Sequence, residues 1–425
     1  MQLSPEGEPG PTLQGVGAAA YAAIRAASLD LCKPLSPEDC AAQSMTDASP
    51  LKWHLAHTTW FFETFVLERV KPGYRPFHPG FHVLFNSYYQ AVGAQYPRPQ
   101  RGLLTRPSLA DVIAYREQVD RSLQDILERP RKADPIDGVI ALGLQHEQQH
   151  QELMLTDLKH LLSFNPLQPA YRTCPSPAVA DPSPPTWLAY DGGPAWIGHA
   201  GPGFAFDNEG PRHQTHIERF ELASRAATAG EYLAFMEDGG YRDPTLWLAD
   251  GWAAVQEHRW DAPLYWEQRD GSWFQITLAG LRELRADLPV CHVSFYEADA
   301  FARWCGARLP EESEWEIAAR DLPVKGNFVE SGLLHPEPPS GKTAPEQVFG
   351  NVWEWTRTPY TPYPGYRPPP GAVGEYNGKF MCNQMVLRGG SCASPRSHLR
   401  ATYRNFLYPR MRWQFSGIRL ARDPR

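Results

Sequence analysis

Two histidines one helical turn apart constrain this chain more than any other feature. His146 and His150 stand in His146-Glu147-Gln148-Gln149-His150, inside a helical run over about residues 137–162. Residues at i and i+4 lie one above the other on a helix face. Two imidazoles so placed can reach one metal ion. As a bare pattern the segment reads H-E-x-x-H, the zinc-peptidase signature, with Glu147 as general base. The same spacing also arises from histidines that merely pack or face solvent. A third ligand decides between these readings.

A second helical run spans residues 49–70. Ser49 suits an N-cap and Pro50 the first turn. Trp53, His57, Trp60, Phe61 and Thr64 recur at three and four residues, so His57 points inward with the tryptophans. Alone, an inward histidine is more often core than ligand. A peptidase, however, takes its third ligand downstream of the second histidine, and here the candidate is upstream on another helix. That sets the peptidase reading aside. Glu147 then points about 100° away from the ligand face. His54, Glu152, Asp157 and His160 are expected at the surface or behind the ligands.

Two further runs complete a four-helix bundle. Residues 13–31 are alanine-rich and stop at Lys33-Pro34. Residues 108–128 open on a capping box, Ser108-Leu109-Ala110-Asp111, and carry the stripe Val112, Ile113, Tyr115, Val119, Leu123, Ile126. Metal sites in bundles are built from inward side chains on facing helices. His57, His146 and His150 offer three neutral nitrogen donors and leave positions for water, substrate or dioxygen. The donor type does not choose between zinc and iron. The long aperiodic connection 72–107 carries Tyr88, Tyr89, Arg98 and Arg101. Long loops of this kind are often functional, so these residues are a candidate substrate wall.

A chain of 425 residues exceeds one ordinary core. Residues 1–12 read as a loose N-terminus, 13–162 as the bundle and 163–187 as a proline-rich linker. Residues 188–425 read as an α+β domain rich in turns. Its short apolar runs are 195–198, 217–220, 292–295, 385–388 and 417–420, with helices near 229–238 and 296–305. A net charge of −7 offers no footprint for nucleic acid or an anionic membrane. No apolar run reaches membrane-spanning length, and the acidic N-terminus has no signal core. Seven scattered cysteines without C-x-x-C point to free thiols in a reducing cytoplasm, with Cys392 a buried thiol. Residues 403–406 (Tyr-Arg-Asn-Phe) are either core packing around an arginine salt bridge or a lid that carries substrate contacts to the metal.

Trp53-His54-Leu55-Ala56-His57-Thr58-Thr59-Trp60-Phe61 and His146-Glu147-Gln148-Gln149-His150 resemble the DinB-like bundle of the sulfoxide synthases of ergothioneine biosynthesis, the EgtB family. The second half resembles a formylglycine-generating-enzyme-type (sulfatase-modifying-factor) domain with a C-type-lectin-like core. Its matching segments are residues 293–300, 307–316, 350–355 (Gly-Asn-Val-Trp-Glu-Trp), 387–391 (Leu-Arg-Gly-Gly-Ser) and 417–420. The resemblance covers nearly the whole chain.

It implies Fe(II) held by His57, His146 and His150. It also implies O2-dependent joining of a cysteine thiol to the imidazole C2 of hercynine (trimethylhistidine), with oxidation of sulfur to the sulfoxide. Gln149 is implied at the hercynine imidazole, Asn405 at its carboxylate with Phe406 in the same lid, and Arg98 with Arg101 at the thiol's carboxylate. The best-known actinobacterial pattern places a catalytic tyrosine in the second domain and continues asparagine-tryptophan-aspartate, where this chain has Asn405-Phe406-Leu407. The pair Tyr88-Tyr89 instead looks like a second subtype. There the tyrosine comes from the bundle loop, and free L-cysteine is preferred over γ-glutamylcysteine. Tyr88 and Tyr89 are then the expected proton and electron donors. Three relatives in chemistry stay open. They are an ovothiol synthase (usually with a third, methyltransferase domain, which has no counterpart here), a selenoneine synthase, and an O2-independent DinB-like thiol S-transferase. A non-catalytic binding protein would hold no metal.

Overall fold

The computed structural model describes residues 17–424, apart from 129–134, 181–182 and 342–344. The expected loose N-terminus, 1–12, lies outside the described residues. The first bundle helix is Ala18–Cys32 and the second Leu51–Phe62, which runs on through a π-helical turn, Glu63–Leu67, to Val70. The third is Leu109–Leu127 and the fourth Ile136–Ser163. The capping box at Ser108 forms as expected: Asp111 N–H donates to Ser108 Oγ at 3.1 Å, and Ser108 N–H to Asp111 Oδ2 at 2.9 Å.

Close approach of the second and fourth helices depends on Gly143. A Cβ there would sit 2.5 Å from the Phe62 ring. Glu147 points away from the histidine face, as its place in the helix requires, yet not into water. It lies between Arg25 of the first helix and Arg116 of the third, and accepts from Ser28 Oγ at 2.6 Å. Burial alone would raise its carboxyl, but the Arg116 and Arg25 guanidiniums outweigh that and hold it at about 2. The cluster ties three helices together behind the ligand face.

The second domain is built of small sheets. β1 (Trp187–Tyr190), β4 (Phe220–Ala223) and β12 (Ala421–Arg422) form one, in the order β1-β4-β12. β2 (Gly193–Ile197) and β3 (His213–Ile217) pair antiparallel. β5 (Trp266–Arg269), β6 (Ser272–Thr277) and β7 (Gly280–Glu283) make a meander. β8 (Trp353–Pro359), β9 (Met385–Arg388), β10 (Asn405–Leu407) and β11 (Ser416–Gly417) make the fourth, ordered β10-β9-β8-β11. The charges of the short motifs pair with one another inside. Arg388 and Arg404 both meet Glu312 at 2.9 Å, and Arg419 meets Glu354 at 2.7 Å, all buried. Several motifs far apart in sequence are thus parts of shared buried ion pairs.

Three of the short apolar runs do not lie within a single strand. Residues 217–220 cross the turn between β3 and β4. Residues 292–295 lead into a helix, because Ser294 and Glu297 form a capping box that starts Phe295–Trp304. Of residues 417–420 only Gly417 is in a strand, while Ile418 and Leu420 bond instead to Ala227 and Ala223. The helix expected near 229–238 is Ala229–Glu237, and two more, Ala249–His258 and Glu312–Ala319, had no expectation.

The proline-rich segment is pinned to both domains. Tyr171 donates its hydroxyl to Leu31 O at 2.7 Å and its N–H to Leu278 O at 2.9 Å. The fourth helix makes the main seam. Gln148 donates to Ser397 Oγ at 2.7 Å, and Glu152 accepts from Trp353 Nε1 at 2.8 Å and from Ser391 and Ser394 at 2.5 Å. Glu152, expected at the surface or behind the ligands, therefore docks the second domain.

Candidate metal centre

The second and fourth helices bring His57, His146 and His150 together, with their ligand atoms within 4.8 Å of one another. His57 Nε2 and His146 Nε2 are 3.2 Å apart. Two nitrogens bound at ordinary metal distances, about 2.1 Å, sit roughly 3 Å apart at a right angle. The donors therefore fit one first-row ion. Burial pushes the imidazoles of His57 and His150 well down and that of His146 to about 3, so all three are neutral donors at physiological pH. His57 donates Nδ1–H to Phe85 O at 2.6 Å, which leaves Nε2 as its lone-pair nitrogen.

Aromatic rings wall the ligands. Trp53 and Trp60 stack on opposite sides of His57, at centroid distances of 4.6 and 5.6 Å. The Arg101 guanidinium lies 3.4 Å above the Trp53 ring and donates to Ser49 Oγ and Ser87 Oγ. Trp53 thus separates Arg101 from His57. Arg98 is on the exposed side of the same turn, donating to Asp47 O.

The tyrosine against the ligands comes from the second domain. Tyr376 sets its ring 5.6 Å from that of His146, edge-on, and donates its hydroxyl to Gln149 Oε1. Gln149 Nε2 donates to Tyr403 Oη at 2.7 Å. Tyr403 in turn meets His398 Nε2 at 2.9 Å, and His398 Nδ1 meets Gln145 Oε1 at 2.7 Å. Gln149 is thereby held at both ends beside the ligand face. Tyr88 and Tyr89 stack on each other at 4.6 Å. Their other ring contacts run to Trp60, Phe61, Phe65, Tyr376 and Phe380, one ring removed from the histidines. Asn405 accepts its neighbour's N–H on Oδ1. Phe406 stacks on Tyr360 at 4.0 Å and lies 6.1 Å from Phe380, so the lid reaches Tyr88 through Phe380. Arg404 serves the salt bridge to Glu312, which is the packing role considered for residues 403–406.

Comparison with known proteins agrees with this build. Residues 20–154 match the DinB superfamily, and residues 175–338 and 339–424 match the sulfatase-modifying factor enzyme 1-like domain. A hercynine oxygenase from Mycolicibacterium smegmatis is 35% identical over 411 residues, covering 88% of this chain and 91% of that protein. This chain belongs to the hercynine oxygenase family. The hercynine oxygenase of Mycobacterium tuberculosis is 34% identical over 404 residues, with 88% and 91% covered. Ergothioneine biosynthesis protein 1 of Schizosaccharomyces pombe is 26% identical over 235 residues, covering 52% of this chain and 28% of that protein.

Sequence reasoning did not bring out the place of Tyr376 beside His146, and it left His54 between two readings. Tyr376 sits in a glycine-rich, aperiodic stretch with no pattern to aim its ring. His54, left at the surface or behind the ligands, is buried with its Nδ1 2.7 Å from His150 Nδ1. Its i, i+3 spacing from His57 was the available signal.

Proposed function

We propose that this protein is a non-haem iron(II), O2-dependent sulfoxide synthase that joins the sulfur of L-cysteine to imidazole C2 of hercynine. As a hercynine oxygenase family member the chain is an oxygen-dependent oxidoreductase of the EgtB type. The observation that carries the reading is the three-histidine cluster roofed by Tyr376 and Gln149. In the overall reaction a C2–H and an S–H are lost, a C–S bond and an S=O bond form, and O2 supplies the sulfoxide oxygen and one water.

Iron(II), when bound, supplies a Lewis-acid and redox centre for thiolate and dioxygen. The chain's own residues do the rest. Gln149, fixed by Tyr376 and Tyr403, orients the hercynine imidazole. Asn405 has its amide nitrogen available for the hercynine carboxylate, since Oδ1 is the atom engaged by Phe406 N–H. Arg98 and Arg101 are the pair that the family resemblance gives to the thiol substrate's carboxylate, although Trp53 stands between Arg101 and His57 and Arg98 is on the exposed side. Burial pushes the Tyr376 phenol well up, so its hydroxyl keeps a proton to donate. The same burial holds for Tyr89 and Tyr88, behind it. The wall of Trp53, Trp60 and Phe61 excludes bulk water. The seven cysteines are unpaired, in keeping with a reducing cytoplasm. No described helix is long and apolar enough to cross a membrane.

γ-Glutamylcysteine is the second reading for the thiol. It is favoured by Tyr376, because a second-domain tyrosine belongs to the actinobacterial pattern, whereas Tyr88-Tyr89 speaks for cysteine. The test is anaerobic Fe(II) reconstitution, then O2 uptake with hercynine and either thiol, with products read by mass spectrometry. Hercynylcysteine sulfoxide and one O2 consumed per product are expected. Turnover without O2, or no iron uptake, overturns the proposal. Histidine or a selenosugar as the preferred partner would assign the ovothiol or selenoneine chemistry instead.

A further inference from the structure

The three candidate ligands differ in what stands behind them. His57 has a neutral carbonyl, Phe85 O, behind its Nδ1. His146 Nδ1 is buried with no hydrogen-bonding partner among the described residues. His150 alone has a charged chain behind it. Its Nδ1 is 2.7 Å from His54 Nδ1, and His54 Nε2 is 3.1 Å from Asp157 Oδ2. The same carboxylate oxygen accepts the backbone N–H of Ser49 at 2.8 Å. His54 and Asp157 are 3% and 4% exposed, so the chain is shielded from water.

With His54 neutral, the protons in this chain have one consistent arrangement. Asp157 is an acceptor, so His54 Nε2 carries a hydrogen and donates to it. A neutral His54 then has a lone pair on Nδ1. His150 Nδ1 must carry the hydrogen that this lone pair accepts. Nε2 of His150 is left as the lone-pair nitrogen that an ion would take. Carboxylate partners of this kind fix ligand tautomers and raise ligand basicity.

We propose that Asp157 and His54 form a relay that locks His150 in its metal-binding tautomer and feeds carboxylate charge to it, making His150 the strongest donor of the three. The inference rests on the three-histidine metal centre proposed above. His54 and Asp157 are positioning residues, since neither touches the ion or a substrate. The long aperiodic loop contributes nothing to the relay. The elements that build it are the second helix, the turn before it at Ser49, and the fourth helix. One face of the fourth helix therefore supplies ligands at 146 and 150, and the helix supplies the anion two turns on at 157.

Glutamine at position 54 tests the polarity. Its amide can accept from His150 through oxygen and donate to Asp157 through nitrogen, whereas leucine can do neither. Fe(II) affinity of the full-length protein is measured anaerobically by chelator competition, without substrate. His54→Leu is expected to weaken binding by about 10- to 100-fold, the usual loss for such partners, and His54→Gln to restore most of it. Asp157→Asn keeps the shape but removes the charge, so the Fe(III)/Fe(II) potential is expected to rise, a readout that a purely structural role would not move. Equal, wild-type-like affinity in His54→Leu overturns the relay. So does an unchanged potential in Asp157→Asn. Failure of the wild-type protein itself to bind Fe(II) overturns the metal centre and the relay together, which separates the two failures.

Discussion

Tyr376 is a buried phenol and Tyr88 a half-buried one, and of the two only Tyr376 places its ring against a ligand and its hydroxyl on Gln149. A group that donates a proton to the reacting centre is worth about 10²- to 10⁴-fold in rate. Tyr376→Phe is therefore expected to lower kcat within that range while Fe(II) affinity stays unchanged. Tyr88→Phe, one ring further out, is expected to cost less. Steady-state product formation beside iron titration checks this, and a larger loss in Tyr88→Phe would return the role to the bundle loop. At this scale legibility followed periodicity. His57, His146 and His150 were readable because a helix fixes where each residue points. Tyr376 was not, because its aim is set by how one domain docks on another. Arg101 shows a third case: the residue was visible in the sequence, but its stacking on Trp53 depends on a loop path that no local pattern encodes.

The bundle helices were legible to within a few residues because each has a 3.6-residue apolar stripe and recognisable ends. The strands of the second domain run two to seven residues and were mostly too short to show alternation. Two predictions belong to the helices. Alanine at Gly143 gains about 1 kcal/mol of helix propensity, but overpacking costs about 1–3 kcal/mol, and the Cβ would fall 2.5 Å from the Phe62 ring. Crowding is expected to win. Gly143→Ala should lower the thermal midpoint and, with His146 less than a turn away, weaken iron binding; a stabilised variant would contradict the close approach. Glu147→Ala leaves Arg25 and Arg116 buried beside each other without their shared anion. A loss of about 3–5 kcal/mol in urea unfolding is expected, as for other broken buried pairs. A change below 1 kcal/mol would show the cluster to be dispensable, and would contradict its part in holding the first, third and fourth helices together.

The two domains meet along the fourth helix, and Lys159 is a buried lysine in that seam. Its ammonium lies 2.7 Å from His292 Nε2, between the rings of Tyr265 and Phe415. Burial pulls its proton affinity down to about 8, from an ordinary value of about 10.5. Between those values the unfolded chain holds a proton that the folded chain has released, so stability rises with pH there. The full span is worth about 3 kcal/mol. The facing groups do not mask it. Burial puts Cys291 up at about 12, Cys392 and Tyr265 well above their usual values, and His292 well below its own, so none of them titrates in the folded chain within the window, and their unfolded-state titration is common to both proteins and cancels in the difference. Lys159→Met removes the titration but also leaves His292 Nε2 without its donor, a cost that does not vary with pH. The readout is accordingly the slope of the difference. Wild-type stability relative to Lys159→Met is expected to climb between pH 7.5 and about 9.5, measured by urea midpoints on the full chain. A flat difference would mean that water reaches the lysine, and that the docking of the second domain on the fourth helix is looser than these contacts imply.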